Sequence, residues 1–422
     1  MATPLIHPAE PERFATARGP RQVARRSPHV VVTVNGPGEI AAWLFPFARA
    51  LRERNPDARL TAALLPCAFA SGRESVVLAG MPDVDRVLAP RATLEWLLTG
   101  EGAEGEEPDL VLHLGGELML SILLARRLGV PVMAYEEERV RWSKLLDHVC
   151  VRDLRAAGGH ENGKLRVVGN LMVDAARLRV PGRGAAAGVA RTVALFPGSR
   201  PYFVRQLLPL FLRVAGSVYT EGWDVRFVLA KSDFVSTDEL ERGLSDSDGR
   251  LLEGDDGVLV ERNGHVVIQS SRGVEVDVLS PEAAMRRADL AITIPGTSTA
   301  ELACLGIPML LVFPTYRLHT LPLPGLANHV GRIPLLGPLI KYAVASSYLR
   351  VRRFWAHPNR LANEMIVPEM VGRLTANSIA RQLEHMLTVP LAFTAQRLRG
   401  AMGEPGASAR LVDEVLRVAG TV

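Results

Sequence analysis

From Pro28 onward the chain alternates between two hydrophobic rhythms. "PHVVVTV" (28–34) is an unbroken β-branched run that stops at "NGPG", and "GEIAAWLFPFARALRERN" (38–55) then spaces its apolar residues at helical intervals. The pairing recurs. "ARLTAALLP", "VDRVLAP", "DLVLHLG", "VPVMAYE" and "DHVCVRD" are short and apolar enough for buried strands, and helical stretches such as "MLSILLARRLG" lie between them. Strands that are apolar throughout must be covered on both faces, so this alternation predicts a parallel, doubly wound sheet.

A second unit of the same kind follows a Gly/Ala/Arg-rich linker, "LRVPGRGAAAGVARTV" (178–193). Its strands are "TVALF" (192–196), "DVRFVLA" (224–230), "DLAITI" (289–294) and "IPMLLVF" (307–313), with a helix over 201–220. "GVLVERNGHVVIQ" (257–269) predicts a hairpin closed by its Asn-Gly pair. "TANSIARQLEHMLT" (375–388) is an amphipathic helix, and 391–419 supplies one or two more. The expected organisation is a basic tail over 1–27, α/β units over 28–178 and 190–388, and C-terminal helices over 389–422. A chain of 422 residues exceeds one ordinary core, so two domains also suit its length. Two such units facing each other make a cleft, and ligands of such sheets bind beyond the carboxyl ends of the strands.

Composition narrows the function. A formal charge of +4 on 422 residues is mild, and no basic-plus-aromatic motif argues for nucleic acid. The three cysteines, Cys67, Cys150 and Cys304, have no paired spacing, which argues against a zinc site or disulfide framework and for a reducing cytoplasm. The tail carries five arginines and no apolar run long enough for a signal peptide. No window offers the roughly 18 uninterrupted apolar residues of a membrane span, and "GEGAEGEEPD" (100–109) reads as a solvated acidic loop.

Two strand-to-helix turns carry candidate chemistry. "LFPGSRPYFVRQLLP" (195–209) puts Gly198, Ser199 and Arg200 at a strand end before a helix. Glycine permits close backbone approach, the helix start offers free N–H groups, and arginine can fork onto phosphate oxygens. An ordinary turn with a capping serine is the plain alternative. "PGTSTAE" repeats the physics with Gly296, Thr297, Ser298 and Thr299, and sets Glu301 inside the helix. Ser298 and Glu301 stand at capping-box spacing, while a carboxylate there also suits the vicinal hydroxyls of a ribose. Two such turns in one unit favour a nucleotide diphosphate.

"GNLMVDA" (169–175), "LFPGSR" (195–200), "AMRRADLAITIPGTSTAELACLGIPMLLVF" (284–313) and "PNRLANEMIVPEM" (358–370) occur in the order and character of the lipid A disaccharide synthases, and the chain resembles that family over most of 29–390. The resemblance implies a GT-B fold of two Rossmann-like domains. It implies an inverting transfer of an N-acetylglucosamine-type, possibly acylated, sugar from a UDP-sugar to a lipid-linked acceptor, with no cofactor. By the same resemblance Ser199 and Arg200 contact the diphosphate with Thr297 and Thr299 nearby, Glu301 binds ribose, and Asn359 and Glu369 lie near donor and acceptor. C-terminal helices that cross back onto the N-terminal domain, and a homodimer, are implied as well. The N-terminal half departs from the pattern. "NGPGEIAAW" keeps Gly38 and Glu39 without the acidic residue that follows in the family; Gly115 stands at the family's catalytic aspartate, with Glu117 the nearest carboxylate; and Gly372 lies near a missing glutamine. The donor half is kept and the acceptor half altered.

Inverting transfer needs a base for the acceptor hydroxyl and groups that neutralise the leaving diphosphate. Glu39, Glu117 and His113, at or beyond strand ends, are the candidate bases. A lone histidine is as readily a structural hydrogen-bonder, and Glu39 as readily a first-turn helix carboxylate. No metal is needed where arginine and helix starts neutralise the diphosphate. Between Glu301 and Glu364 there is no acidic residue, and 317–355 mixes apolar runs with arginines and a lysine. Apolar surface framed by cations suits peripheral contact with the cytoplasmic face of the inner membrane. A UDP-sugar 2-epimerase and a non-catalytic nucleotide-sugar or lipid-binding relative are the alternatives; the first needs no lipid patch, and the missing aspartate favours the second.

Overall fold

The computed structural model describes residues 27–67, 70, 72–100, 107–137, 142–156, 163–182, 191–245, 254–315 and 353–420. Most of the 317–355 segment, the basic tail up to residue 26, and parts of the acidic loop and the linker lie outside these residues.

The first sheet holds β1 (His29–Val34), β2 (Arg59–Leu64), β3 (Arg86–Leu88), β4 (Leu110–His113), β5 (Val132–Glu136), β6 (His148–Val151) and β7 (Leu165–Val167), in the order β3-β2-β1-β4-β5-β6-β7. Every pairing is parallel. β1 is buried at all of its positions, as a central strand with helices on both faces must be.

The second sheet holds β8 (Arg191–Phe196), β9 (Val225–Ala230), β10 (Gly257–Arg262), β11 (His265–Ser270), β12 (Glu275–Leu279), β13 (Leu290–Thr293), β14 (Met309–Pro314) and β15 (Glu369–Gly372), in the order β10-β11-β12-β9-β8-β13-β14-β15. From β12 to β15 it is parallel, and β10 and β11 extend one edge as an antiparallel meander. The hairpin turns through Asn263 (φ 51°) and Gly264 (φ 75°), the left-handed pair that a two-residue turn requires. Strand order reverses beside β1/β4 in one sheet and β8/β13 in the other. These switch points are where such folds leave a crevice.

The region read as one helix over 38–55 is built in three parts: a turn over Pro37–Glu39, a π-helical stretch over Ile40–Leu44, and an α-helix over Phe45–Arg54. Pro46 has no N–H to give Ala42 at the α spacing, so the ladder widens there. The widened turn sends Glu39, Ala41 and Trp43 to the crevice while Ile40, Ala42 and Leu44 stay buried.

The helix Leu171–Arg179 passes from the first sheet to the second, and its N-cap Asn170 and first-turn Asp174, both in "GNLMVDA", hold the returning C-terminus. Asn170 Nδ2 donates to Met402 O at 3.1 Å, and the Asp174 carboxylate accepts from Gly406 N (2.6 Å) and Ser408 N (2.7 Å). The final helix, Ala407–Val418, thereby lays Leu411, Val412, Val415 and Leu416 into the core of the first domain beside Val30, Val32 and Phe47. Each such side chain contributes roughly 1.5–3 kcal/mol on burial, so the last twelve-residue helix belongs energetically to the domain where the chain began. Helix Ala376–Thr388 stays with the second domain, packing Ile379, Ala380 and Leu383 against the core of Pro201–Thr220.

Candidate functional site

The two switch points face each other across a cleft of about 280 Å³. Pro37, Gly38, Glu39 and Trp43 line it from the first domain, Gly198–Arg200, Gly296–Ser298 and Glu301 from the second, and Arg179 from the connecting helix. The walls touch. A Cβ on Gly38 would lie 2.8 Å from Thr297 Cγ2, so glycine at 38 is what lets the domains approach this closely.

On the second domain, Gly198 (φ 105°) turns the chain out of β8, and Pro201 opens a twenty-residue helix directly behind Arg200. That helix presents its positive end to the cleft. Burial pushes the Arg200 guanidinium below its ordinary value, while Cys67, Glu39 and Glu74 from the first domain push it back up. Arg200 thus faces Glu39 across the opening as a cation that this carboxylate feels.

The second turn differs in detail from a capping box. Gly296 is the N-cap of Thr297–Cys304, with no side-chain cap bond. The Ser298 hydroxyl pairs with Thr293 Oγ1 at 2.8 Å, and Glu301 faces Arg179 rather than its own helix start. Thr299 is fully buried, donates to Gly296 O (2.8 Å) and accepts from His357 N (3.0 Å); it braces the turn and does not line the cleft.

Glu39 is half-buried in the cleft wall. Burial raises its pKa above the usual carboxylate value, with Arg200 among the influences that pull it down. Its stem rests on Gly115: a Cβ there would stand 2.6 Å from Glu39 Cγ. An aspartate at 115 and Glu39 in this position exclude one another.

The other two candidate bases are elsewhere. His113 is 4% exposed, with Nδ1 bonded to Ser121 Oγ (2.8 Å) and in reach of Thr33 Oγ1 (3.3 Å). Burial drops its pKa to about 4, so near neutral pH it is an uncharged structural group. Glu117 is exposed at the N-cap of helix Leu118–Leu128, carried off the cleft by the Gly115-Gly116 turn.

Asn359 and Glu369, expected beside the ligands, do not line the cleft either. Asn359 is fully buried, with Nδ2 donating to Val367 O and Glu369 Oε1 and Oδ1 accepting from Ile366 N and Val367 N, all within 3.0 Å. Glu369 accepts from Trp355 N and Ala356 N. "PN…VPE" is therefore a buried staple between a helix start and β15. Asn359→Ala should lower unfolding free energy by on the order of 3 kcal/mol, since it leaves buried N–H groups unpaired. Urea titration checks the loss, and a variant as stable as wild type would contradict it.

Arg179 is a charged cleft residue that sequence reading passes over. Together with Arg177 it looks like an ordinary last-turn cation. Trp43 is another; its Nε1 donates to Glu137 Oε1 at 3.3 Å, and Glu137 Oε2 lies 3.5 Å from His357 Nε2 of the opposite domain.

No protein-family model matches the chain. Among curated proteins it is similar to the lipid-A-disaccharide synthase of Anaeromyxobacter sp. (strain K), 29% identical over 233 residues, 54% of this chain and 49% of that protein. The chain thus spans about half the length of that relative. The synthase of Myxococcus xanthus aligns further, 26% identical over 411 residues, 87% of this chain and 92% of the relative. Among solved structures, the Staphylococcus aureus MnaA–UDP co-structure superposes with a TM-score of 0.56 at 12% identity, covering 93% of this chain and 97% of the other. The calicheamicin glycosyltransferase CalG4 superposes at 0.51 and 14%, covering 94% and 99%. At such identities the structural likeness establishes the GT-B fold alone.

Proposed function

The chain is a divergent relative of the lipid-A-disaccharide synthases, and from that premise we propose that it is an inverting glycosyltransferase moving an N-acetylglucosamine-type sugar from a UDP-sugar to a lipid-linked acceptor. One observation carries the reading. A half-buried carboxylate of the first domain, Glu39, faces the starts of two helices and Arg200 across the interdomain cleft.

In this scheme the diphosphate lies against Gly198, Ser199 and Arg200 and the start of Thr297–Cys304, with the ribose toward Glu301. Glu39 removes the proton of the acceptor hydroxyl. The freed oxygen attacks the anomeric carbon from the face opposite the diphosphate, the carbon–oxygen bond to the diphosphate breaks, and UDP leaves with the electron pair. Arg200 and the helix N–H groups stabilise that departing charge, a task that needs no metal ion. The carboxylate comes from Glu39 because Gly115 leaves room for its side chain.

The test is UDP release from UDP-N-acetylglucosamine and its acylated derivatives, with and without lipid extract in anionic vesicles. Release that depends on the lipid is expected, together with flotation of the chain on those vesicles through 317–355. Conversion of the donor at C2 without any acceptor would replace the proposal with a 2-epimerase, and tight binding with no turnover would replace it with a binding protein.

A further inference from the structure

Arg179 gathers the buried charge of the second domain's cleft wall. Its Nη1 donates to Glu301 Oε1 at 2.6 Å and its Nε to Glu282 Oε1 at 2.7 Å. The two prongs of the guanidinium are thus held by carboxylates from two helices, Pro281–Arg287 and Thr297–Cys304. The side chains of Arg179 and Glu301 are 20% and 9% exposed, and both line the cleft. Among the described residues nothing donates to Glu301 Oε2.

Other charges around Glu301 do not replace this partner. Glu282 acts on it with the same sign, and Asp233 acts on Arg179 from beyond β9. Cys304, on its own helix, is kept a neutral thiol by burial, with Glu301, Glu137 and Asp174 reinforcing that. Burial raises the Glu301 pKa above the ordinary carboxylate value, and Arg179 is the cation that pulls it back toward the ionised form. An ionised carboxylate only accepts hydrogen bonds, which matches a vicinal diol with two hydroxyls to donate; a neutral acid keeps one proton of its own and matches it less well.

Resting on the nucleotide reading above, we propose that Arg179 is a positioning residue that makes the cleft selective for ribonucleotides: it anchors Glu301 Oε1 so that Oε2 meets the ribose hydroxyls. A nucleotide lacking one hydroxyl forfeits a charge-assisted bond.

The experiment measures binding of UDP and 2′-deoxy-UDP by calorimetry across pH 5.5 to 9. Wild type should prefer UDP by about tenfold or more, a ratio typical of one hydrogen bond to a buried charge. In Arg179→Met that ratio should fall toward one at neutral pH. It should recover as pH rises, because Glu301 without its cation holds its proton to higher pH. Binding of 2′-deoxy-UDP serves as the internal control for fold and diphosphate contacts. Arg179→Lys keeps a charge but not the fork, so its ratio should fall partway, and this variant decides the matter if the methionine variant does not fold. A wild-type ratio in the variants, flat with pH, overturns the inference, as does a wild-type chain that binds both nucleotides equally. A wild-type chain that binds neither overturns the nucleotide reading itself.

Discussion

Glu39→Gln should slow sugar transfer by roughly 100- to 10,000-fold, the span that a positioned general base contributes, while UDP binding stays within about twofold. The expectation follows from where the carboxylate stands. Of the three candidate bases only Glu39 lines the cleft, since His113 is buried among Thr33 and Ser121 and Glu117 faces solvent. Burial also raises its pKa, which makes it a stronger base than an exposed glutamate. Two pH dependences of opposite sign result. Transfer needs the ionised form, so kcat/KM should rise with pH through a value above the ordinary carboxylate range. Stability runs the other way. A group whose folded pKa is raised binds its proton more tightly when folded; its contribution is full below the unfolded pKa and is lost as pH climbs through the folded one. Glutamine cannot ionise, so the variant should melt no lower than wild type near neutral pH while being nearly inactive. An active variant, or one that lost activity only because it unfolded, would remove Glu39 from the scheme.

How far the sequence reached depends on which physical signal each residue left. Strands such as "HVVVTV" and "LAIT" were legible because a parallel strand covered on both faces must be apolar at every position. The turns at Gly198 and Gly296 were legible because strand, glycine and helix follow one another in register with the switch points. The π-helical stretch was not: its cause, one missing N–H at Pro46, leaves the spacing of apolar residues unchanged. Polar residues were less legible. Asn359 and Glu369 were expected near the ligands only through the resemblance of "PN…VPE" to a family segment, and a motif match does not tell a polar residue that staples backbone from one that meets a substrate. Ser298 and Glu301 had capping-box spacing, yet the helix starts two residues earlier than that box requires, so each side chain is directed elsewhere. Arg179 left no signal because its partners are more than a hundred residues distant in the chain. Such pairings exist only after the second domain has folded against the connecting helix.

Removing the charge at the opposite wall should do damage of a different kind. Arg200→Met is expected to lower kcat/KM for the UDP-sugar by about 100- to 1,000-fold, the cost of deleting one preorganised group that meets developing charge. Arg200 is placed for that role by the N-cap position of Pro201–Thr220, with the helix start immediately behind it. The two contributions separate by experiment. Helix N–H groups do not depend on the side chain, so UDP should still bind the variant, more weakly, with less dependence on salt than in wild type. Arg200→Lys restores the charge without the planar fork and should recover only part of the rate. Glu39 supplies a second, independent readout. Arg200 is one of the influences holding its pKa down, so losing the guanidinium should move the rising limb of the pH profile to higher pH. A methionine variant with the wild-type rate, or an unmoved limb, would mean that the leaving diphosphate is met by the helix starts alone.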